Sequence, residues 1–238
     1  HTGGVFSVAL SANGQVLASG GGDKTIKFWD VNTGRIIKTL YGQTDQIFAI
    51  AFNCDGQTLA TISQNQVVRL WNWQTDRCFR TLHGHTDWAL PVSFNPQGNL
   101  LASGSSDQTV KLWDVTTGEI IKNLSGHTDR VFSVAFSSDG EILASTGADR
   151  TVRLWDIKSG KCFLNLQGHQ DWIKVVVFSP DDSLRDSFAS RTLASCCYDR
   201  TIRLWDIQTG ECLKILTGHT DAIYAITYRP LNTTHNNS

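Results

Sequence analysis

The sequence predicts an all-β protein built from repeated four-stranded units, and three observations lead there. Trp29, Trp71, Trp113 and Trp155 follow one another at intervals of 42 residues, with Trp205 after a further 50. A second marker upstream keeps the same period: His1, Gln43, His85, His127, His169 and then His219. Between the markers, β-branched and aromatic runs alternate with Gly, Asn and Asp turn signals about every ten residues. Self-similarity at a fixed period is the signature of a repeat architecture. The units run 1–41, 42–83, 84–125, 126–167 and 168–217, and residues 218–238 supply one more first strand and a tail.

The fourth unit shows the elements in order. "RVFSVAFS" reads as a first strand, "EILAST" as a second, "TVRLWDI" as a third and "KCFLNL" as a fourth, separated by "SDG", "GADR" and "KSG". Asn13-Gly14, Asp55-Gly56 and Asp139-Gly140 supply the positive-φ residues of a tight hairpin between the first two strands. Gly34, Gly118, Gly160 and Gly210 serve the third-to-fourth turn, where Asp76 stands in unit two. Asp tolerates the left-handed conformation better than most residues. The eight additional residues of unit five fall between Phe178 and Leu193, in a solvated loop carrying Arg185, Phe188 and Arg191. Four-stranded meanders at a period of about 40–45 residues are the blades of a β-propeller.

The recurring "GH…LAS…D…LWD" pattern, present in five copies, resembles the WD-repeat β-propellers. The regular period also resembles the WD arrays, of bacterial or fungal type, in large multidomain regulators where a propeller follows a nucleotide-binding switch domain. The family's usual seven blades would need roughly 290 residues. The expectation is therefore an open arc of five blades plus one strand, a segment of a seven-bladed or larger propeller, rather than a five-bladed ring. Apolar faces left open at the ends of such an arc favour self-association.

Bulk composition limits function. Charged residues are 18% of the chain and the net charge is −1, so nothing favours nucleic acid or an anionic membrane as partner. No apolar run approaches the roughly 18 residues that span a bilayer. The chain begins at His1 and contains no Met, as a piece of a longer protein would. Cys78, Cys162 and Cys212 share a register with Ile36 and Ile120, which reads as a small apolar packing position. With no C-x-x-C pair, no metal or cofactor is expected, and a reducing, cytoplasmic compartment is.

Candidate chemistry lies in a recurring polar set. It is His1, Ser19, Asp23 and Trp29 in unit one; His85, Ser103, Asp107 and Trp113 in unit three; His127, Ser145, Asp149 and Trp155 in unit four; and His169, Ser195, Asp199 and Trp205 in unit five. A hydrolytic triad is a single asymmetric site with an oxyanion hole. Four equivalent copies fit a framework better. Indole N–H donates only, hydroxyl and neutral imidazole both donate and accept, and carboxylate accepts, so each set can form one hydrogen-bonded chain. The matching positions in the WD-repeat family form such a structural tetrad. Unit two replaces the set with Gln43, Thr61, Asn65 and Trp71, exchanging His and Asp together for amides, and is expected to be less stable locally.

A partner site must lie where the units differ. Three residues after the histidine marker the chain reads Gly4, Gln46, Trp88, Arg130, Trp172 and Ala222. Two residues further on it reads Phe6, Phe48, Leu90, Phe132, Lys174 and Tyr224, and before the turn aspartate Gly22, Gln64, Ser106, Ala148 and Tyr198. Trp with Arg is typical of interface hot spots. Trp88, Arg130, Phe132, Trp172, Lys174, Tyr198 and Tyr224 are therefore expected to form one face for a protein or peptide. Trp73 and the cations at 27, 69, 111, 153 and 203 are assigned to packing and snorkelling. The expected function is a non-catalytic interaction scaffold or sensor. The alternatives are a regulatory propeller of a nucleotide-switch signalling protein and an enzyme with a channel-centred site.

Overall fold

A computed structural model describes residues 1–41, 45–64, 66–180 and 192–228. Gln43, Asn65, Arg185, Phe188 and Arg191 lie outside the described residues. Among the described residues twenty strands form five antiparallel sheets, each in chain order. Blade one holds β1 (Val5–Leu10), β2 (Val16–Gly21), β3 (Ile26–Asp30) and β4 (Ile36–Leu40). Blade two holds β5 (Ile47–Phe52), β6 (Thr58–Ser63), β7 (Val68–Asn72) and β8 (Arg77–Leu82). Blade three holds β9 (Ala89–Phe94), β10 (Leu100–Ser105), β11 (Thr109–Asp114) and β12 (Ile120–Ser125). Blade four holds β13 (Val131–Phe136), β14 (Ile142–Gly147), β15 (Val152–Asp156) and β16 (Cys162–Leu166). Blade five holds β17 (Ile173–Phe178), β18 (Thr192–Cys197), β19 (Ile202–Asp206) and β20 (Cys212–Leu216). Among the described residues no helix is long and apolar enough to cross a membrane.

Burial explains the composition of each strand. The second strands are covered on both faces, and β6 is buried throughout, so their sequences are small and apolar without alternation. The fourth strands form the outer edge and are largely exposed, β20 along its whole length. The Cys78, Cys162 and Cys212 register begins these outer strands. Ile36 and Ile120 there are 49% and 42% exposed, so the position is an edge site rather than the closed packing site expected from sequence. Cys78 and Cys162 still pack against a neighbouring cluster, whereas Cys212, in no such cluster among the described residues, is exposed.

The hairpin glycines take positive φ as the turn chemistry requires, and Asp76 does so at 58°. The second-to-third turn was not legible in this respect. Lys24, Gln66, Gln108, Arg150 and Arg200 all occupy the left-handed region there. The aspartate before four of them accepts the N–H two residues on, at Thr25, Thr109, Thr151 and Thr201. This side-chain turn holds a backbone conformation that Lys, Gln or Arg would not choose alone.

Among the described residues four apolar clusters each join neighbouring blades, one to two, two to three, three to four and four to five, and none joins five to one. The arc is open. Ile47, Ala89, Val131 and Ile173 are 0% exposed beneath the preceding blade, while Val5, their counterpart in blade one, is 50% exposed. Residues 222–228 continue onto blade five, with Ile223 buried and its N–H donating to the Cys197 carbonyl at 3.2 Å. That run takes the place of a first strand, without a ladder partner of its own among the described residues.

The blade boundaries trade volume. A Cβ on Gly104 would lie 2.6 Å from Val131 Cγ1 and 2.8 Å from Pro91 Cγ, so only glycine fits under that valine. One boundary earlier the sizes are reversed, with Ile62 and Ala89 in one buried cluster. Trp73 packs internally, stacked on Phe28 at 4.9 Å, with its indole N–H donating to the Gly56 carbonyl at 2.9 Å.

Candidate functional site

Four of the polar sets assemble with the same geometry. Each tryptophan N–H (Trp29, Trp113, Trp155 and Trp205) donates to its serine Oγ at 2.8 Å. Ser19, Ser103, Ser145 and Ser195 stand 2.7–2.8 Å from Nε2 of His1, His85, His127 and His169. Nδ1 of those histidines stands 2.7–2.9 Å from Asp23, Asp107, Asp149 and Asp199. Since the hydroxyl already accepts from indole, its own proton goes to Nε2, and the neutral imidazole donates from Nδ1 to the carboxylate. Protons therefore point one way along each relay. The aspartate also accepts the N–H of Thr2, Thr86, Thr128 or Gln170, tying the entry loop to the turn. In blade two Trp71 donates to Thr61 Oγ1 at 3.0 Å.

A nucleophile must meet its substrate, and Ser103, Ser145 and Ser195 have no exposed surface. Burial alone would raise the pKa of Asp107, Asp149 and Asp199. The hydrogen bonds from histidine, threonine and backbone outweigh it and hold all three carboxyls below their usual range. Burial strips water from the charged form of His169 and, with the nearby Arg203 charge, lowers its pKa despite the opposing pull of Asp199. Both effects act in one direction. A depressed histidine takes its proton first in the unfolded chain, so stability falls as pH drops below about 6.5. Depressed carboxylates remove more below about 4. We predict a two-step loss of urea resistance on acidification, the first step reduced in His169→Gln. A midpoint flat from pH 7 to 4 would reject the assignment.

His169, Cys197 and Asp199 bring three ligand-type atoms within 4.8 Å of one another. Each atom is already engaged. Cys197 Sγ donates to the Asp171 carbonyl at 3.0 Å and accepts from Asp199 N–H at 3.3 Å. Ser105 Oγ makes the same two bonds in blade three, to Asp87 and from Asp107. Burial pushes the Cys197 thiol up to about 12, away from the thiolate a metal would need. The trio is blade five's version of a turn.

The repeated cations also sit in the frame. Lys111 is buried with Nζ on Asn123, Arg69 reaches Ser63, and Arg203 lies over the Trp205 ring at 5.9 Å. Arg153 and Arg203 each leave a buried Nε without a partner.

The three variable registers converge at one end of the blades. The residue before the turn aspartate donates its N–H to the carbonyl three residues after the marker: Ser106 to Trp88, Ala148 to Arg130 and Tyr198 to Trp172, at 2.8, 2.8 and 3.0 Å. Aromatic rings then pass contact from blade to blade. One series runs Phe132, Trp172, Tyr198 and Tyr224, with centroids 5.7, 5.8 and 5.2 Å apart, and Lys174 Nζ lies 4.6 Å from the Phe132 centroid. A second runs Phe6, Phe48 and Trp88 at 5.5 and 6.2 Å. Trp88, Trp172 and Tyr224 remain 44%, 43% and 61% exposed, and Arg130 is exposed. Phe6 and Phe48 share the register of Phe132 but were not included in the site expected from sequence. They lie in the variable register named from sequence, and ring contacts from Phe6 to Phe48 and from Phe48 to Trp88 join them to the rim.

The family model described as "WD domain, G-beta repeat" matches residues 1–30, 34–72, 76–114, 118–156 and 160–206. Autophagy-related protein 16 of Arabidopsis thaliana is 45% identical over 42 residues, which is 18% of this chain and 8% of that protein. The ribosome biogenesis protein BOP1 homologs of Drosophila virilis and Drosophila melanogaster are 48% identical over 40 residues and 46% over 46. Those matches cover 17% and 19% of this chain, and 5% and 6% of the relatives' own lengths.

Proposed function

Since the chain belongs to the WD-repeat family, whose repeats generally mediate protein–protein contact, we propose that it is a non-catalytic platform binding a protein or peptide on its rim. The face is formed by Trp88, Arg130, Phe132, Trp172, Lys174, Tyr198 and Tyr224. The observation that carries this reading is the exposure of Trp88 and Trp172, nearly half of each side chain, at one register of alternate blades. Leaving that much indole in water forgoes about 2 kcal/mol per residue. A partner recovers it.

The open faces of blades one and five favour a module continued by further blades of a seven-bladed or larger propeller. Six free cysteines support a reducing, cytoplasmic setting. The regulatory reading, a sensor propeller within a larger signalling protein, uses the same rim.

The test is quantitative pull-down with the wild type and the triple variant Trp88→Ala, Arg130→Glu, Trp172→Ala, its folding checked by circular dichroism. Recovery of the bound protein is expected to fall by more than about tenfold, a loss of at least 1.4 kcal/mol. Unchanged recovery by a folded triple variant rejects the face.

A further inference from the structure

Inside the rim lies a cavity of about 580 Å³, walled by Phe6, Phe48, Trp88, Pro91 and Phe132 among others. Its charged lining residues are Arg130 and Lys174, and no Asp or Glu lines it. Among the described residues neither cation has a carboxylate partner. Arg130 is fixed only through its backbone, its N–H on Asp129 and its carbonyl accepting from Ala148. Lys174 is half-buried with the Phe132 ring beneath it. The acidic residues of the rim turns, Asp87, Asp129 and Asp171, each accept the N–H of the following residue and do not reach the cavity wall.

This is an unusual electrostatic state for a chain of net charge −1. A cation withdrawn from water is costly unless an anion or well-placed acceptors replace the lost hydration. Burial already lowers the pKa of Lys174, the sign of a charge without compensation. Arg130 stands where the two aromatic series break, between Trp88 and Phe132. The two cations therefore share one recess, lined by aromatic rings and by Ser7, Ser106 and Ser133. An anion entering there meets attraction from both and repulsion from neither.

Resting on the rim reading above, we propose that the cavity receives an acidic side chain of the partner peptide, its carboxylate held between Arg130 and Lys174. The flanking apolar residues of the peptide lie on Phe48, Trp88 and Phe132. Charge selects the partner and the rings supply the contact area.

The full-length protein is screened against three randomised nonapeptide libraries whose central residue is fixed as Glu, Gln or Lys. Peptides from the Glu library are expected to be enriched at least about tenfold over those from the Gln library, and the Lys library is expected to yield none. Binding of the selected Glu peptides weakens as salt is raised. Arg130→Gln and Lys174→Gln each lose about tenfold in affinity, while Lys158→Gln, on an exposed turn outside the cavity, loses nothing. Equal enrichment from the Glu and Gln libraries, with binding still abolished by Trp172→Ala, overturns the acidic specificity and leaves the rim in place. Failure of all three libraries, with pull-down of a rim-dependent partner intact, overturns it as well. Failure of both experiments removes the rim reading itself.

Discussion

Asp149→Ala is expected to lower the unfolding free energy by about 3–5 kcal/mol, among the largest single losses available in this chain. Its carboxylate is almost completely covered and takes hydrogen bonds from His127 Nδ1, the backbone of Thr128, and both the N–H and hydroxyl of Thr151. Removing it strands several donors in a site that water reaches poorly. Ser145→Ala is expected to cost about 2–4 kcal/mol, because the Trp155 N–H and His127 Nε2 lose their common partner. The two losses fall on one relay, so the double variant should cost clearly less than their sum. Urea midpoints of the three variants decide it. A loss below about 1 kcal/mol for Asp149→Ala would mean the relay is ornamental to stability.

The second large effect concerns blade fit. Gly104→Ile alone is expected to cost about 1–3 kcal/mol, since the new side chain meets Val131 and Pro91 at less than contact distance. Adding Val131→Ala and Pro91→Ala should return most of that loss. The triple variant reproduces blade two, where Ile62 is accompanied by Ala49 and Ala89 in one cluster. A triple variant no more stable than Gly104→Ile would show that side-chain volume is not what matches adjacent blades. Melting temperatures of the single and triple variants provide the comparison.

The repeat made most of the fold legible. A 42-residue period locates each sheet, and the residue types of the polar set dictate the order of a donor relay before any distance is known. The cavity was harder to see. Its walls come from positions 42 apart, and a shared register of Phe6, Phe48, Leu90, Phe132 and Lys174 does not by itself tell that these side chains enclose one space. Volume trade was hidden for the same reason: Gly104 reads as a flexible strand residue unless Val131 is known to lie on it. The left-handed Lys24, Gln108 and Arg150 were not foreseeable by residue type, because the neighbouring aspartate, not the residue itself, secures the turn. The edge cysteines misled in the opposite sense. Their exchange with isoleucine suggests closure, yet an outer strand tolerates apolar residues half in water.

Because every apolar cluster joins only adjacent blades, the arc assembles like a zipper. Strand pairing inside each blade spans short stretches of chain and can form early, and each added blade then finds its template already made. Disturbance travels the same way. A defect in one blade reaches the others only through each intervening boundary, so its effect weakens with every blade crossed.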